Sequence, residues 1–268
     1  MMKSNKLMMR LFILGVILVA IAAGGLRAFL LLKYIDPATG FYSVGTNIDT
    51  VFNVIVGVLI VLIAAGGIIT RKIDAPEHLD SRSTVVVFTS ALCAFIYISM
   101  FVYGIYSLVS SAKMNYFLFA ETVLCIPCCL NHVSICSSEV REKNTPHALF
   151  SMAEAVFFAV RIIEVFMDTK TQINASQRSL ELLMLCAMMM FFLFESNFLV
   201  KREEGGLKSI AKYYMAGLAS VAFPIVSVIP YLAVSLFWCY ETGFLVMDIL
   251  ECCVMIFAAS RLLTLKKN

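Results

Sequence analysis

Charged side chains are scarce in this 268-residue chain, at 15% of the total, against about 25% in an average globular domain. Beside 61% hydrophobic residues, that scarcity excludes a soluble enzyme domain, a disordered chain and a nucleic-acid binder. No linker or low-complexity segment divides the chain, and no polar stretch is long enough for a soluble domain. Residues 1–268 therefore read as a single integral membrane domain. There is no Walker loop, no G-x-S-x-G and no H-E-x-x-H, so no catalytic residue is assigned and an enzyme is the less favoured expectation. Of the histidines, His78 and His147 fall in expected loops, which leaves no pair of buried haem ligands. No cofactor and no metal is expected. The nine cysteines are an odd number, and only Cys239 lies near the expected outer surface, which excludes a lattice of extracellular disulfides. The other eight fall inside apolar runs, where free cysteine behaves as a small apolar residue.

What the chain has instead is long apolar runs, and a run of about 20 residues crosses a hydrocarbon core of about 30 Å. Eight candidate spans are predicted, at 11–33, 48–70, 84–110, 115–136, 148–168, 179–200, 213–237 and 243–264. The fold class is an all-α polytopic transmembrane helix bundle. Glu154, Arg161 and Glu164 interrupt the fifth span, so seven spans with one interfacial helix is the competing count.

Positive charge collects in cytoplasmic loops, and its placement tests the count independently. With eight spans, one side carries Lys3, Lys6, Arg10, Arg71, Lys72, Arg82, Arg141, Lys143, Lys201, Arg202, Lys208, Lys212, Arg261, Lys266 and Lys267. The other carries only Lys33, Lys113, Lys170 and Arg178. Strict alternation of eight spans matches this asymmetry and puts both termini in the cytoplasm. The inner basic residues suit anionic lipid headgroups rather than nucleic acid. The first span also has the outline of a signal peptide, with a basic start and Ala20-Ile21-Ala22 as a small-residue cleavage site. Its apolar run continues to Leu32, which favours an uncleaved anchor.

Spans one and two share a pattern, Gly15 to Gly24-Gly25 paralleling Gly57 to Gly66-Gly67. Small residues let membrane helices approach closely, so close packing is the expected use, with chance similarity preferred over an inverted repeat. Between these spans, Asp36 to Gly45 holds turn formers with Phe41 and Tyr42, read as a cap on the hairpin rather than a ligand loop. Pro224 and Pro230 are expected to break or kink span seven locally.

Ionisable residues inside a bilayer cost about 2.5–3.5 kcal/mol each on insertion scales and so face a cavity or a partner. At about 100° per residue, Glu154, Arg161, Glu164 and Asp168 fall within an arc of roughly 80° on span five. Arg161 is spaced to pair with Glu164 or Glu154 along its own helix. With odd spans running outward, Glu121, Glu164, Glu181, Asp248 and Glu251 share the outer half, and Arg27 reaches the same level. Glu154 and Glu195 match in depth nearer the cytoplasm. The candidate substrate-binding residues are thus Glu121, Arg161, Glu164, Asp248, Glu251, Glu154, Glu181 and Arg27, lining an outward-opening polar cavity for cations, protons or amine-bearing ligands. The plainer reading makes each charge an inter-helix staple, with Glu181 or Arg27 snorkelling to the interface.

Span four carries Glu121, Cys125, Cys128 and His132 on one face, with Cys-Ile-Pro-Cys in C-x-x-C spacing. Dithiol redox or metal chemistry is the sharper reading of that set, and packing of a proline-kinked helix is the preferred one.

From Arg27 through Asp36-Pro37-Ala38-Thr39-Gly40-Phe41-Tyr42 the chain resembles uncharacterised multi-pass membrane proteins of anaerobic Firmicutes, which begin with an Arg in the first span and a similar exit. The resemblance covers about 16 residues. It implies a bacterial plasma (inner) membrane and carries no known activity. The leading functional expectation is a transporter or permease-like component for a small solute or cation. A non-catalytic sensor or assembly subunit, docking on a membrane-protein partner or a second copy of itself, is the alternative. A membrane thiol oxidoreductase comes third.

Overall fold

In hydrocarbon every backbone N–H and C=O must find a partner within the protein, and a helix achieves this inside one segment. A computed structural model, describing residues 2–34, 48–70, 83–111, 114–137, 144–167, 176–200, 207–238 and 242–264, has each apolar run folded that way. The helices are α1 (Met2–Lys33), α2 (Ile48–Thr70), α3 (Thr84–Ser110), α4 (Tyr116–Cys136), α5 (Asn144–Met167), α6 (Ser176–Val200), α7 (Leu207–Trp238) and α8 (Thr242–Thr264). Among the described residues there is no strand. The cap segment 36–45 lies outside the described residues, as do Asp168, His78 and Cys239.

Helix ends differ from hydropathy where local chemistry outlasts the apolar run. α5 begins at Asn144, ahead of the expected start, and takes in His147, which the sequence reading put in a loop. Pro146 sits in that first turn, where its missing N–H costs nothing. Pro224 and Pro230 do not end α7, which remains one helix of 32 residues. At α4, Asn115 supplies the N-cap, its side-chain oxygen accepting from the N–H groups of Phe117 and Leu118 at 3.1 and 3.3 Å.

Six helices, α1 to α4, α6 and α7, are long and apolar enough to cross a membrane. The protein is therefore an integral, multi-pass membrane protein. The other two carry three charges each in their described parts: Glu154, Arg161 and Glu164 in α5, and Asp248, Glu251 and Arg261 in α8. Both nonetheless present apolar stripes outward at helical spacing, Leu149, Met152, Val156 and Ile163 on α5 and Ile249, Ile256 and Leu263 on α8. These continue the belt formed on α3 by Phe88, Phe95, Val102 and Val109, one side chain every two turns. A soluble protein does not leave so much contiguous apolar surface uncovered.

Helices α3 to α8 pack each on the next, and α8 returns to α3, closing a six-helix cycle. α5 lies between α4 and α6 in that cycle, which is not the position of an interfacial helix. The closure is marked by Thr89 of α3 and Ser260 of α8, whose hydroxyls are 3.0 Å apart in the interior. α1 and α2 stand outside the cycle, both against α7.

That outer docking explains the paired glycines. A Cβ on Gly24 would collide with the carbonyl oxygen of Ile225, and one on Gly67 with the Met215 side chain; Gly66 faces Leu218 and Phe12. Thus α1 and α2 both use their glycines against α7, ten residues apart along it, as expected for antiparallel neighbours. Gly15, Gly25 and Gly57 have open space beside them. Gly24→Leu should therefore wedge α1 from α7 at a cost of about 1–3 kcal/mol, whereas Gly25→Leu should be close to neutral. Thermal unfolding of the purified protein in detergent reads the difference, and equal effects of the two substitutions would contradict the packing.

Candidate functional site

The α5–α6 hairpin is held at both ends by side chains that satisfy backbone carbonyls across the pair. At one end the Ser151 hydroxyl donates to Phe192 O at 3.1 Å and the Ser196 hydroxyl to Ala148 O at 2.7 Å. At the other, buried Arg178 at the start of α6 donates to the carbonyls of Val165 and Phe166 at the end of α5. These bonds set the register of the two helices. Two tiers of charge then lie along α5, seven residues or about 10 Å apart.

The upper tier is built around Arg161. Its guanidinium pairs with Glu164 one turn on and lies 3.7 Å from Glu181 of α6. Glu121 of α4 and Glu251 of α8 are also within its electrostatic reach. Asp248 of α8 lies within electrostatic reach of Glu181 and Arg161. Among the described residues, five carboxyl groups from four helices thus lie within reach of one guanidinium. Exposure is graded: the side chains of Arg161, Glu164 and Glu181 are 14%, 25% and 28% exposed, while Glu121 and Glu251 are buried. Glu164 and Glu181 thus form the partly exposed rim of the cluster, and Glu121 and Glu251 its buried floor.

The lower tier is fully buried. Glu154 Oε1 accepts from Asn131 Nδ2 at 3.1 Å and lies 3.0 Å from His132 Nε2. The imidazole contact lacks hydrogen-bond alignment as placed. Beside it, Arg261 Nη2 of α8 meets Glu195 Oε1 of α6 at 3.1 Å. The His132 ring stacks on Tyr97 with centroids 5.8 Å apart and takes the Phe257 ring edge-on at 4.9 Å. Arg261 lies over the same Phe257 ring, 5.1 Å from its centroid.

Aromatic rings fill the level between the tiers. Phe157 and Phe158 lie between Glu154 and Arg161 on α5, and Phe191 and Phe192 between Glu181 and Glu195 on α6. Phe257 lies between Glu251 and Arg261 on α8. Phe158 stacks on Phe192 at 5.9 Å, and Phe192 on Phe257 at 6.2 Å. The layer sets apolar rings between the two tiers.

Comparison with known protein families, curated proteins and solved structures finds no match. The reading of this site rests on its geometry.

Of the eight candidate residues, Glu121, Arg161, Glu164, Glu181, Asp248 and Glu251 come together in the upper tier. Glu154 belongs to the lower one, bonded to α4 rather than to Arg161. Arg27 is fully buried in α1, with its guanidinium 5.4 Å from the Phe52 ring of α2, and so does not snorkel. Two basic residues counted as topological markers are also interior groups. Arg178 caps α5, and Arg261 is the partner of Glu195. Removing both leaves the charge asymmetry of the loops intact.

Sequence reasoning missed the Asn131–His132–Glu154 contact and the Glu195–Arg261 pair as elements of a site. A signal existed in Asn131-His132, two polar residues inside an apolar run. Their partners lie on other helices, out of reach of spacing arguments. The described cysteines are free thiols, with Cys125 and Cys128 both buried. Among the described residues, no group of three or more His, Cys, Asp or Glu side chains is placed to hold a metal ion.

Breaking a buried ion pair by removing one partner costs about 3–5 kcal/mol, while replacing both members with apolar groups is far milder. Arg261→Met should therefore destabilise strongly, and Arg261→Met combined with Glu195→Leu should recover much of the loss. A double-mutant cycle on unfolding in detergent measures this, and additive single effects would remove the pair from the account.

Proposed function

We propose that this protein is a transporter or permease-like component of a bacterial plasma membrane, moving a small cation or protons through the Arg161 tier. The observation that carries this reading is the imbalance there: five carboxyl groups gather about one guanidinium. In a low-dielectric setting, gathering so many carboxylates at one place is costly. The site must take up protons or another cation to be stable, and what it takes up it can pass on.

The gradation of exposure supports a direction for entry. A cation meets Glu164 and Glu181 at the rim, then Glu121 and Glu251 at the floor. Arg161 sets the affinity by repelling a second charge, so that binding stays weak enough for release. With both termini in the cytoplasm, as the loop charges imply, this rim faces outward.

Reconstituted proteoliposomes carrying a pH-sensitive dye and an imposed membrane potential test the reading. Wild-type protein should dissipate or build a proton gradient, with or without an added monovalent cation. Glu121→Gln and Glu251→Gln should slow this at least about tenfold, while Glu139→Gln in an expected loop should not. Undiminished flux in correctly folded Glu121→Gln and Glu251→Gln proteins, or no flux in the wild type, would overturn it.

A further inference from the structure

The lower tier is a separate site, beyond the aromatic layer from the carboxylates invoked above. Its formal charges do not balance. Among the described residues, Glu154 and Glu195 face a single permanent cation, Arg261, and all three side chains are buried. Arginine does not lose its charge in proteins, so one negative charge remains unless a proton is added. The other titratable groups at this level supply no second base. Tyr97 and Cys93 from α3, Cys128 from α4 and Tyr213 from α7 are neutral acids that can only add negative charge. Beside the two carboxylates themselves, His132 is the group among the described residues that can take up a proton, and it alone becomes a cation by doing so.

The geometry of that residue fits the task. His132 Nε2 and Glu154 Oε1 are 3.0 Å apart without hydrogen-bond alignment, a separation at which a cationic ring is attracted to the carboxylate and a bare ring nitrogen is repelled by it. Asn131 donates to the same oxygen of Glu154, which suits an ionised carboxylate. A proton added at this level is best placed on the imidazole, which then faces the ionised Glu154 and stacks on the Tyr97 ring, whose π-face favours a cation. Both ring nitrogens of His132, Glu154 Oε2 and Glu195 Oε2 are buried and have no hydrogen-bond partner among the described residues. Hydrogen-bonding capacity on both sides of the pair thus remains open for a proton to arrive and leave.

We propose that the lower tier binds one exchangeable proton, held by His132 against Glu154, and that the proton is the ion this protein handles at its inner level. Uptake forms one N–H bond at Nε2 of the neutral ring and gives an imidazolium–carboxylate pair. Release breaks that bond and returns the proton to water, with no other bond changed. The use of this proton in transport rests on the function proposed above; its presence does not.

Ring-nitrogen NMR of histidine-labelled full-length protein in lipid bilayers reads the charge state directly, with His132 assigned as the signal missing from His132→Gln. In the wild type, His132 should pass from cationic to neutral in one step as pH rises. Glu154→Gln leaves Glu195 balanced by Arg261, so the proton affinity of His132 should fall at least about tenfold, while His78 and His147 keep theirs. Glu195→Gln should act in the same direction and serves if Glu154→Gln fails to fold. A wild-type His132 neutral at every pH, or a transition unmoved by either substitution, would overturn the proposal. If His132 titrates as stated and no flux is found, transport alone fails. If flux persists with His132 fixed in one state, the proton site fails.

Discussion

A charged group inside a bilayer must be matched by another group from the protein, and α5 concentrates that requirement. It carries Glu154, Arg161 and Glu164 in a helix that also has an apolar outward stripe. Left alone in lipid, each charge would cost about 2.5–3.5 kcal/mol, a large fraction of the stability of any fold. The partners come from three other helices: Asn131 and His132 on α4, Glu181 on α6, and Asp248 and Glu251 on α8. Once α5 is to be neutralised, α4, α6 and α8 must converge on it. The closed cycle of α3 to α8 is the packing that brings them there.

The two tiers meet that requirement differently. The lower one is nearly saturated, with two acids, a guanidinium and an imidazole boxed by rings, and lies one proton from neutrality. The upper one has a large excess of acid and partial exposure, so its balance depends on what enters from outside. The aromatic layer between them, with Phe158, Phe192 and Phe257 stacked in sequence, gives the interior two chemically distinct levels. Outside the cycle, α1 and α2 contribute no acid to either tier in any contact seen here. Their close approach to α7 through Gly24, Gly66 and Gly67 buttresses the helix that joins α6 to α8.

Much of the architecture was legible because hydrocarbon is an unforgiving solvent. Apolar run length alone gave eight helices whose boundaries agree with those observed to within a few residues at most ends, the exceptions being N-terminal extensions over 2–10, 144–147 and 207–212. These stretches are polar or charged, so helix continues where hydropathy has already fallen, as at Pro146 in the first turn of α5. The depth of each acid was also readable, since alternating helix direction converts residue number into height. That is why Glu121, Glu164, Glu181, Asp248 and Glu251 could be assigned one level before any packing was known. Arg178 and Arg261 were misread for the converse reason: near a span end, composition does not distinguish a residue at the water interface from one turned inward to a neighbouring helix.

By itself, then, the sequence determined the solvent, the number of helices and the height of each charge, because these depend only on run length, helical rise and the cost of charge in lipid. The tertiary structure alone decided which charges at one height are neighbours. It placed Arg27 against Phe52, and gave Glu154 to His132 rather than to Arg161. It also turned Arg261 inward to Glu195. Height is a property of one helix, but azimuth is a property of the whole bundle. It is set by glycine contacts, hydroxyl-to-carbonyl bonds and ring packing between segments distant in sequence, none of which a single helix can specify.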